Sequence, residues 1–497
     1  MEAKEFIKAL IVLLVFPVGG PLLGAVIRGR PRWQDAVFAI MCAMTINGLL
    51  GPGNWGLTLD SVETYRGHTK GYHFYFNHAL GIALMVAAFL EKPFSKKVLP
   101  PGIFLYLFYW LVSSFSITSA IEPELHLMAM HKMLFILCIF FGAYSYLKDR
   151  KRILFFFRVM AGVLVWEAIV VLKSKYIDGQ YQAKGTFEHQ NALAMYANLI
   201  AMPLLALSLG PNHPRNKWLF AGFLACSIVV VAALSRASLL IFAAGVAMMI
   251  AFSQLQKPSA HRYALIAVLA VCGIFGGLVS LDTIISRFHD RGNIASEEYR
   301  EVLNEAAVAM VRDYPTGVGW NNYATVINDP YPYAEFVWEW LRERGHRVDL
   351  SRVNSTVESH YFLLIAENGW LGLVTYLLLI TVALVRNLRA IIDCSDVYWR
   401  LISIGIAMGC FLNYTQSHFE RVLTQPRNLM LWMILFAITA RIETIRRNGK
   451  KSLKSISTPQ TPGQPKLLKA QTTIQIASPG RSAPRAPVPV DTRPLIV

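Results

Sequence analysis

The sequence predicts an all-α polytopic membrane protein with about 11 to 13 transmembrane helices and one large loop that itself contains helices. Two observations lead to this fold class. Of the 497 residues, 54% are hydrophobic and only 16% are charged, whereas soluble proteins carry roughly 25% charge. The apolar residues also form long uninterrupted runs. These features exclude a cytosolic Rossmann or barrel enzyme as the main body, and they exclude a secreted disulfide scaffold.

The apolar runs are long enough to cross the hydrocarbon core of a bilayer, which takes roughly 17 to 25 residues. The first run lacks the small-residue cleavage site of a signal peptide, so we expect a retained helix, interrupted at Gly19-Gly20-Pro21. In order, the runs occupy residues 6–27, 36–52, 74–90, 103–121, 128–147, 153–172, 191–209, 218–235, 237–254, 263–282, 361–385, 401–416 and 428–444.

The links between these runs alternate between two kinds. One set is short and rich in lysine and arginine, and the positive-inside rule places it in the cytoplasm. The other set must then face outward, which in a bacterium is the periplasm. It comprises residues 54–73, 122–127, 173–190, the turn at Arg236, 283–360 and 417–427.

The large outer segment, 283–360, is where we expect chemistry, because long ordered loops on a rigid scaffold usually carry it. Residues 297–312 have the spacing of an amphipathic helix, and a turn follows at 314–319. The tyrosines and tryptophans of 331–340 suit either stacking on sugar rings or an interfacial aromatic belt.

Two domains follow from the composition. Residues 1–445 form the transmembrane domain with its large loop. Residues 446–497 are rich in proline, serine and basic residues, and a segment of this kind buries too little apolar surface to fold. We therefore expect a disordered cytoplasmic tail.

Arg236 and Arg300 are the sharpest candidates for function. Arg236 lies between two apolar runs with almost no loop around it, and a cation fixed at the membrane boundary needs a partner. Arg300 lies on the predicted amphipathic helix. If the two converge, their guanidinium groups suit a diphosphate, since each binds phosphate oxygens bidentately. The alternative is that they snorkel or pair with nearby acids, namely Glu297, Glu298 or Glu301.

Other polar residues are less specific. His360, at a junction of loop and helix, suits a general base, a phosphate contact or a helix cap. Asn191 is expected to cap the helix that begins there. The sequence contains no nucleotide-binding, serine-hydrolase or zinc motif.

Four segments in this order resemble motifs of the bacterial O-antigen ligase and polymerase family, a group of polytopic membrane glycosyltransferases. They are GTFEHQNALAMY (185–196), the Ser-Arg turn in LSRASL (234–239), AVAMVRDYPTGVGWNNY (307–323) and SHYFLLIAENGWLG (359–372). The third segment follows Arg300, which lies on the same loop. The ordered set on a matching topology is more specific than any single motif.

The resemblance implies transfer of a glycan from undecaprenyl diphosphate to an acceptor hydroxyl, at the periplasmic face of a bacterial inner membrane. The acceptor would be a lipid A core sugar, a growing polysaccharide or a protein side chain. No cofactor, metal, nucleotide or nucleic acid is implied, and membrane lipids surround the protein. Arg236 and Arg300 match the family's diphosphate-binding arginines, and His360 matches its histidine, proposed to activate the acceptor or to steady the leaving group. Supporting roles are expected for Asn191, Arg66 and Glu367.

Two other classes of function compete with this one. A transporter of a small anion or of the glycan lipid should show ionisable residues at helix midpoints and paired broken helices. Glu167 is one candidate for such a buried charge. A structural subunit of an export complex would not need the arginines or His360. Convergence of Arg236, Arg300 and His360 at one membrane boundary favours the enzyme.

Overall fold

The computed structural model describes residues 3–46, 56–91, 99–210, 216–254, 258–289, 292–349, 353–421 and 424–457. Contacts between residues group Met1–Lys450 as one compact unit and Lys451–Val497 as a second. Of the second unit, the structure describes only residues 451–457, which are helical. The rest of the predicted tail, 458–497, lies outside the described residues.

The first half of the chain forms nine helices and one antiparallel hairpin within the described ranges. The helices are α1 (Ala3–Leu14), α2 (Gly20–Ile27), α3 (Pro31–Ala43), α4 (Phe76–Glu91), α5 (Ile103–Ser114), α6 (Pro123–Phe135), α7 (Leu137–Tyr146), α8 (Arg150–Tyr176) and α9 (Gln190–Ser208). The hairpin pairs β1 (Gly56–Leu59) with β2 (Tyr72–Tyr75), in a register that places Leu57 opposite Phe74.

The second half adds the large loop and the remaining long helices. These are α10 (Asn216–Ala233), α11 (Arg236–Gln254), α12 (Ala260–His289), α13 (Gly292–Asp313), α14 (Tyr323–Val326), α15 (Ala334–Glu343), α16 (His360–Asp393), α17 (Val397–Gln416) and α18 (Pro426–Ser457). Helix α12 continues to His289, past residue 283 at which the outer segment is expected to begin.

The predicted fold class is confirmed. In the described part of the chain, seven helical segments are long and apolar enough to cross a membrane, and four apolar helices are shorter. These correspond to eleven of the predicted runs. Of the other two, 401–416 lies within α17, and 36–52 is covered only in part by α3, because residues 47–52 lie outside the described ranges.

The first membrane segment is continuous over Lys4–Ile27, so the predicted interruption is wrong. Between α1 and α2 the chain makes a π-helical turn, Val15–Gly19, in which the backbone N–H of Gly20 donates to the carbonyl of Val15. The wider turn accommodates Pro21 near the start of α2 without breaking the helix.

The links predicted to face outward gather at one end of the bundle. The backbone N–H of Glu122 donates to Asn322 Oδ1 at 2.7 Å, and Asn321 Nδ2 donates to the carbonyl of Thr69 at 2.9 Å. Lys8 Nζ donates to the carbonyl of Thr58 at 3.1 Å, which brings the start of the chain to the same end. We call this the outer end, after the predicted topology.

The basic links gather at the opposite, inner end. Glu91 accepts hydrogen bonds from the backbone of Gly29 and from Lys148 Nζ, both at 3.1 Å. Arg150 pairs with Asp396 at 3.5 Å. Successive long helices therefore run alternately between the two ends, as the alternation of the links predicts.

The large loop has its own apolar core, built around Leu303, Met310, Tyr323, Val326 and Val337. The predicted amphipathic helix is α13, and its buried face supplies part of this core. The loop is therefore a packed layer over the outer end of the membrane helices.

The turn after α13 docks directly onto α16. The backbone N–H of Val318 donates to the carbonyl of Ala366 at 2.8 Å, at a kink where Gly369 has a φ of 67°. Gly317 has a φ of 89°, and a Cβ there would overlap the carbonyl of Glu367. Both positions favour glycine because of their positive φ and close packing. The turn at 314–319 and the segment that follows His360 therefore pack against each other.

Candidate functional site

Arg236 and Arg300 line one cavity at the outer end of the bundle. Arg236 is the first residue of α11, and Arg300 lies on the face of α13 above it. The cavity has a volume of about 790 Å³, and we call it the arginine cavity. Its other polar lining residues are His189, Gln190, Asn191, Ser235, Glu297, Glu301, Asn304, Glu358, Ser359, Thr415, His418 and Glu420.

Both arginines are held by carboxylates. Arg236 Nη2 lies 2.9 Å from Glu297 Oε1, so pairing with Glu297, one of the alternatives weighed from the sequence, is present in the structure. Arg300 instead pairs with Glu358 through Nε, and its Nη2 lies 3.6 Å from Glu420 Oε1. Since these side chains are partly exposed, a stronger anion could exchange with the carboxylates at small cost.

A second, smaller cavity of about 280 Å³ adjoins the arginine cavity. The two share His189, Glu358 and Glu420 in their linings. The other lining residues of this second cavity are Met44, Tyr75, Asn77, Phe187, Glu188, Ala192, Arg421, Gln425, Pro426, Arg427 and Met430. It therefore offers aromatic rings, amides and charged groups that can donate and accept hydrogen bonds.

Glu420 stands at the boundary of the two cavities. Burial, followed by the negative charge of Glu358, raises the pKa of Glu420 to about 8. Asn191 Nδ2 donates to Glu420, and Asn191 is the second residue of α9. The expected capping role of Asn191 is wrong, because His189 caps α9 by accepting the backbone N–H of Asn191 at Nδ1, 3.3 Å away.

Two further cations line the second cavity. Burial lowers the pKa of Arg421, and its Nη1 is buried with no hydrogen-bond partner in the part of the chain that the structure describes. Arg427 lies over the ring of Phe187 at 4.8 Å and donates to the carbonyl of Thr186 at 2.7 Å. Together with the arginine cavity, the outer end therefore presents four guanidinium groups to two joined cavities.

Glu167 holds the link that precedes α9 through hydrogen bonds with Thr186. Its carboxylate accepts hydrogen bonds from the backbone N–H and the hydroxyl of Thr186, both at 2.8 Å. The buried charge that the sequence offered as a hint of transport thus anchors the segment 185–196. It is tied to the outer-end link by which α9 begins.

His360 begins α16 beside the arginine cavity but does not belong to its described lining. Its backbone N–H donates to the carbonyl of Ser417 at 2.9 Å, and only 3% of the residue is exposed. The ring contacts Tyr376 edge to face, with centroids 5.1 Å apart. Its Nδ1 is buried without a hydrogen-bond partner among the described atoms.

A small cavity of about 30 Å³ separates His360 from a buried polar chain. Lys132 Nζ lies 2.8 Å from Nδ1 of His68, and His68 Nε2 lies 3.1 Å from Glu367 Oε2. Burial, followed by the charge of Lys132, lowers the pKa of His68 well below its usual range, so this ring is neutral. Glu367 also accepts the backbone N–H of Tyr323 at 3.3 Å. Glu367 therefore holds the large loop, and it lines neither the arginine cavity nor the second cavity.

Two other sequence-based expectations fall outside the joined cavities. Arg66 is exposed, and its Nη1 donates to the carbonyl of Val353 at 2.9 Å. In the aromatic stretch, Tyr333 is buried and donates to Asp313 at 2.7 Å, while Trp340 packs against Tyr299. In the described structure these two rings face the loop's own interior, so sugar stacking by this pair is not what the fold shows.

The arrangement combines fixed cations with one carboxyl group whose pKa lies near neutrality. The cations can hold a polyanion, and the carboxyl can take a proton from a neighbouring hydroxyl. Among the residues that the structure describes, no group of three or more His, Cys, Asp or Glu side chains is arranged to hold a metal ion.

The sequence reasoning found the arginines but missed Glu358 and Glu420. Glu358 stands two residues before His360, and Glu420 precedes Arg421 in a short outer link. The sequence does place an acid in the same outer link as a cation that the positive-inside rule does not expect there. Such a cation needs a partner, and these acids are the partners of Arg300.

Comparison with known proteins adds one match. Residues 221–377 match the family model described as O-antigen ligase. The matched region runs from α10 into α16 and contains Arg236, Arg300, His360 and Glu367. No curated protein matches the chain. The family predicted from the four motifs is therefore confirmed for this region, whereas Asn191 and Glu420 lie outside it.

Proposed function

We propose, starting from the O-antigen ligase domain that this chain carries at residues 221–377, that the protein transfers a glycan from undecaprenyl diphosphate to an acceptor hydroxyl. The family supports a membrane glycosyltransferase of the ligase or polymerase type in general. The donor, the acceptor and the side of the membrane are our inference. The site would face the periplasm, in the inner membrane of a bacterium.

The observation that carries the proposal is the convergence of Arg236 and Arg300 on one cavity where membrane helices begin. Arg236 starts α11, and the cavity also reaches Ser359, directly before α16. A lipid diphosphate at this level would place its charged group on the arginines and its tail among apolar helices. Guanidinium groups suit this ligand because each binds phosphate oxygens through two parallel hydrogen bonds.

An opening towards the surrounding lipid supports the same donor. Thr415, His418 and Phe419 line the arginine cavity and also a shallow groove on α17. Exposed apolar residues such as Phe411 continue this groove along the helix. A polyprenyl chain could therefore leave the cavity sideways into the membrane.

The donor needs no separate activation. The donor already carries a diphosphate leaving group, and the arginines stabilise its charge as the anomeric bond breaks. His360 stands two residues beyond Glu358, and we retain two roles for it: a base for the acceptor, or a contact to phosphate. Because His360 is buried, either role requires the substrate to displace the packing around its ring.

The acceptor class stays open: a lipid A core sugar or a growing polysaccharide comes first, and a protein side chain comes second. A transporter is the rival reading. It loses its main support here because Glu167 is bound by Thr186. The polar groups of the two cavities also lie at one end of the bundle.

The test uses the full-length protein in liposomes that contain undecaprenyl-diphosphate-linked glycan, with each acceptor class supplied in turn. EDTA is present and nucleotide is absent. We expect transfer and release of undecaprenyl diphosphate, with strong losses in Arg236→Ala and His360→Ala. Arg66→Ala is the matched control, since Arg66 is an outer-end arginine that does not line either large cavity, and it should keep full activity. Full activity in both Arg236→Ala and His360→Ala would refute the site assignment.

A further inference from the structure

We propose that the second cavity receives the acceptor sugar and that Glu420 is the catalytic base that takes the proton from its hydroxyl. This inference rests on the proposed function and assigns the two joined cavities separate substrates. The diphosphate of the donor lies in the arginine cavity, and the acceptor enters from the other side of Glu420.

The position of Glu420 is the first argument. It lines both cavities, and so it borders the place where a donor held in one meets an acceptor held in the other. Displacement at the anomeric carbon requires the nucleophile and the leaving group on opposite faces of that carbon. In inverting glycosidases a carboxylate base works from the face opposite the leaving group. Glu420 lines the arginine cavity that would hold the diphosphate and also the second cavity, so a hydroxyl that enters from the second cavity meets its carboxylate.

The surroundings of Glu420 suit a base rather than a simple ion pair. Its side chain is 12% exposed, compared with 42% for Glu358, the other carboxylate on Arg300. The hydrogen bond from Asn191 Nδ2 fixes one carboxylate oxygen. The titratable groups that face it are Arg300 on α13, Glu358 before α16, His189 before α9, and His418 and Arg421 in its own link.

The raised pKa of Glu420 agrees with this role. A general base works best when its pKa lies near the working pH, because it is then sufficiently ionised and still a strong acceptor. Burial and the charge of Glu358 bring the pKa of Glu420 to about 8. The positive charge of Arg300 lowers the pKa of Glu420. A diphosphate bound to Arg300 neutralises this charge, so the pKa of Glu420 rises further.

The lining of the second cavity suits a sugar. Tyr75 and Phe187 supply aromatic surface, while Asn77, Glu188 and Gln425 supply amide and carboxylate groups for hydroxyl recognition. This mixture of rings and convergent polar groups is typical of sites that bind small polar molecules. The rings of Tyr333 and Trp340, in contrast, pack within the loop.

The reaction then balances as follows. The acceptor oxygen forms a bond to the anomeric carbon while its proton moves to the Glu420 carboxylate. The bond between the anomeric carbon and the phosphate oxygen breaks, and its electron pair stays on undecaprenyl diphosphate. Arg236 and Arg300 hold the resulting charge. Glu420 returns its proton to solvent or to the departing diphosphate, and no oxidation state changes.

The experiment compares Glu420→Gln with wild type in liposomes that contain lipid-linked glycan extracted from the source cell's membranes. Release of undecaprenyl diphosphate is followed from pH 6 to 9. Wild-type kcat/KM should rise with pH and level off above about pH 8, the pKa of Glu420 in the free protein. Glu420→Gln should lower kcat about 100- to 1000-fold and abolish this rise, while the KM for donor stays within about twofold. Glu420→Asp should restore part of kcat.

Two further variants separate this inference from the proposed function. Glu335→Gln is the matched control, because Glu335 is an exposed acid of the large loop that pairs with Arg342 and lines neither cavity. Gln425→Ala should raise the KM for acceptor and leave that for donor unchanged. If Glu420→Gln kept the wild-type pH profile while Arg236→Ala and Arg300→Ala were inactive, the inference would fail and the proposed function would stand. Full activity in both arginine variants would overturn both.

Discussion

Replacing Arg300 with alanine is the sharpest perturbation of the arginine cavity. Arg300 contacts two carboxylates, Glu358 and Glu420. For Arg236, the described structure gives one ion pair, with Glu297. Loss of Arg300 therefore removes a ligand of the diphosphate. It also leaves Glu358 and Glu420 without this counter-ion, so that both acids face the diphosphate. Loss of Arg236 removes a ligand and leaves one acid on the solvent side.

The expected magnitudes follow from these contacts. Two charge-assisted hydrogen bonds at the lower end of about 1.5–3 kcal/mol each give about 3 kcal/mol, or roughly a hundredfold in kcat/KM for either arginine. A carboxylate about 5 Å from a phosphate charge adds about 2–3 kcal/mol of repulsion at an effective dielectric of about 20–40. Because Glu358 is partly exposed, we expect the lower end, so Arg300→Ala should lose about 10³- to 10⁴-fold in total.

The assay measures kcat/KM for undecaprenyl diphosphate release in Arg236→Ala, Arg300→Ala and each combined with Glu358→Gln. Removing the charge of Glu358 should restore about tenfold in the Arg300→Ala background, and it should restore little in the Arg236→Ala background. Equal losses for the two arginines, with no restoration by Glu358→Gln, would refute the reasoning. Thermal unfolding of each variant checks that the fold is retained.

Three further outcomes are expected from thermal unfolding in detergent. Gly317→Ala should cost about 2–4 kcal/mol, since it combines a positive φ with overlap of the Glu367 carbonyl. Thr186→Val should cost about 1–3 kcal/mol, because the buried Glu167 carboxylate loses a hydrogen bond. The pKa of Glu420 is about 8 in the folded protein and 4.5 in the unfolded chain, so between these pH values only the folded state keeps the proton. The contribution of Glu420 to stability therefore falls as the pH rises from 4.5 towards 8. Glu420→Gln should therefore gain stability relative to wild type across that range.

Each of these outcomes has a control and a contrary result. Gly345 has a similar φ of 70°, but a Cβ there would meet open space. If Gly345→Ala lost as much stability as Gly317→Ala, overlap with the Glu367 carbonyl would not explain the cost at Gly317. Thr118→Val removes a hydroxyl from an exposed position, and equal costs at both threonines would exclude a special role for the Glu167 contact. A stability difference for Glu420→Gln that does not change between pH 4.5 and 8 would contradict the raised pKa.

The membrane architecture could be predicted because it depends on properties that are local in the sequence. Apolar runs set the helices, and the charge of the links sets their alternation. The interruption at Gly19-Gly20-Pro21 was mispredicted because a π-helical turn absorbs the proline within a continuous helix. Residue composition does not distinguish such a turn from a break.

The candidate site could be predicted only in part. Arg236 and Arg300 stood out because a cation at an outer membrane boundary contradicts the topology rule. Glu420 carried no comparable signal, since its importance comes from contacts with Asn191 and Arg300, which are far away in the chain. The burial of His360 depends likewise on Tyr376, which lies beyond the motif at 359–372.

A structure of the full-length protein with undecaprenyl diphosphate, determined by electron cryomicroscopy in a lipid nanodisc, tests the central claim most directly. The account predicts that the two phosphates lie in the arginine cavity, within hydrogen-bonding distance of the guanidinium groups of Arg236 and Arg300, with the lipid chain leaving beside α17. A diphosphate bound at the inner end of the bundle, or one that contacts neither arginine, would contradict it.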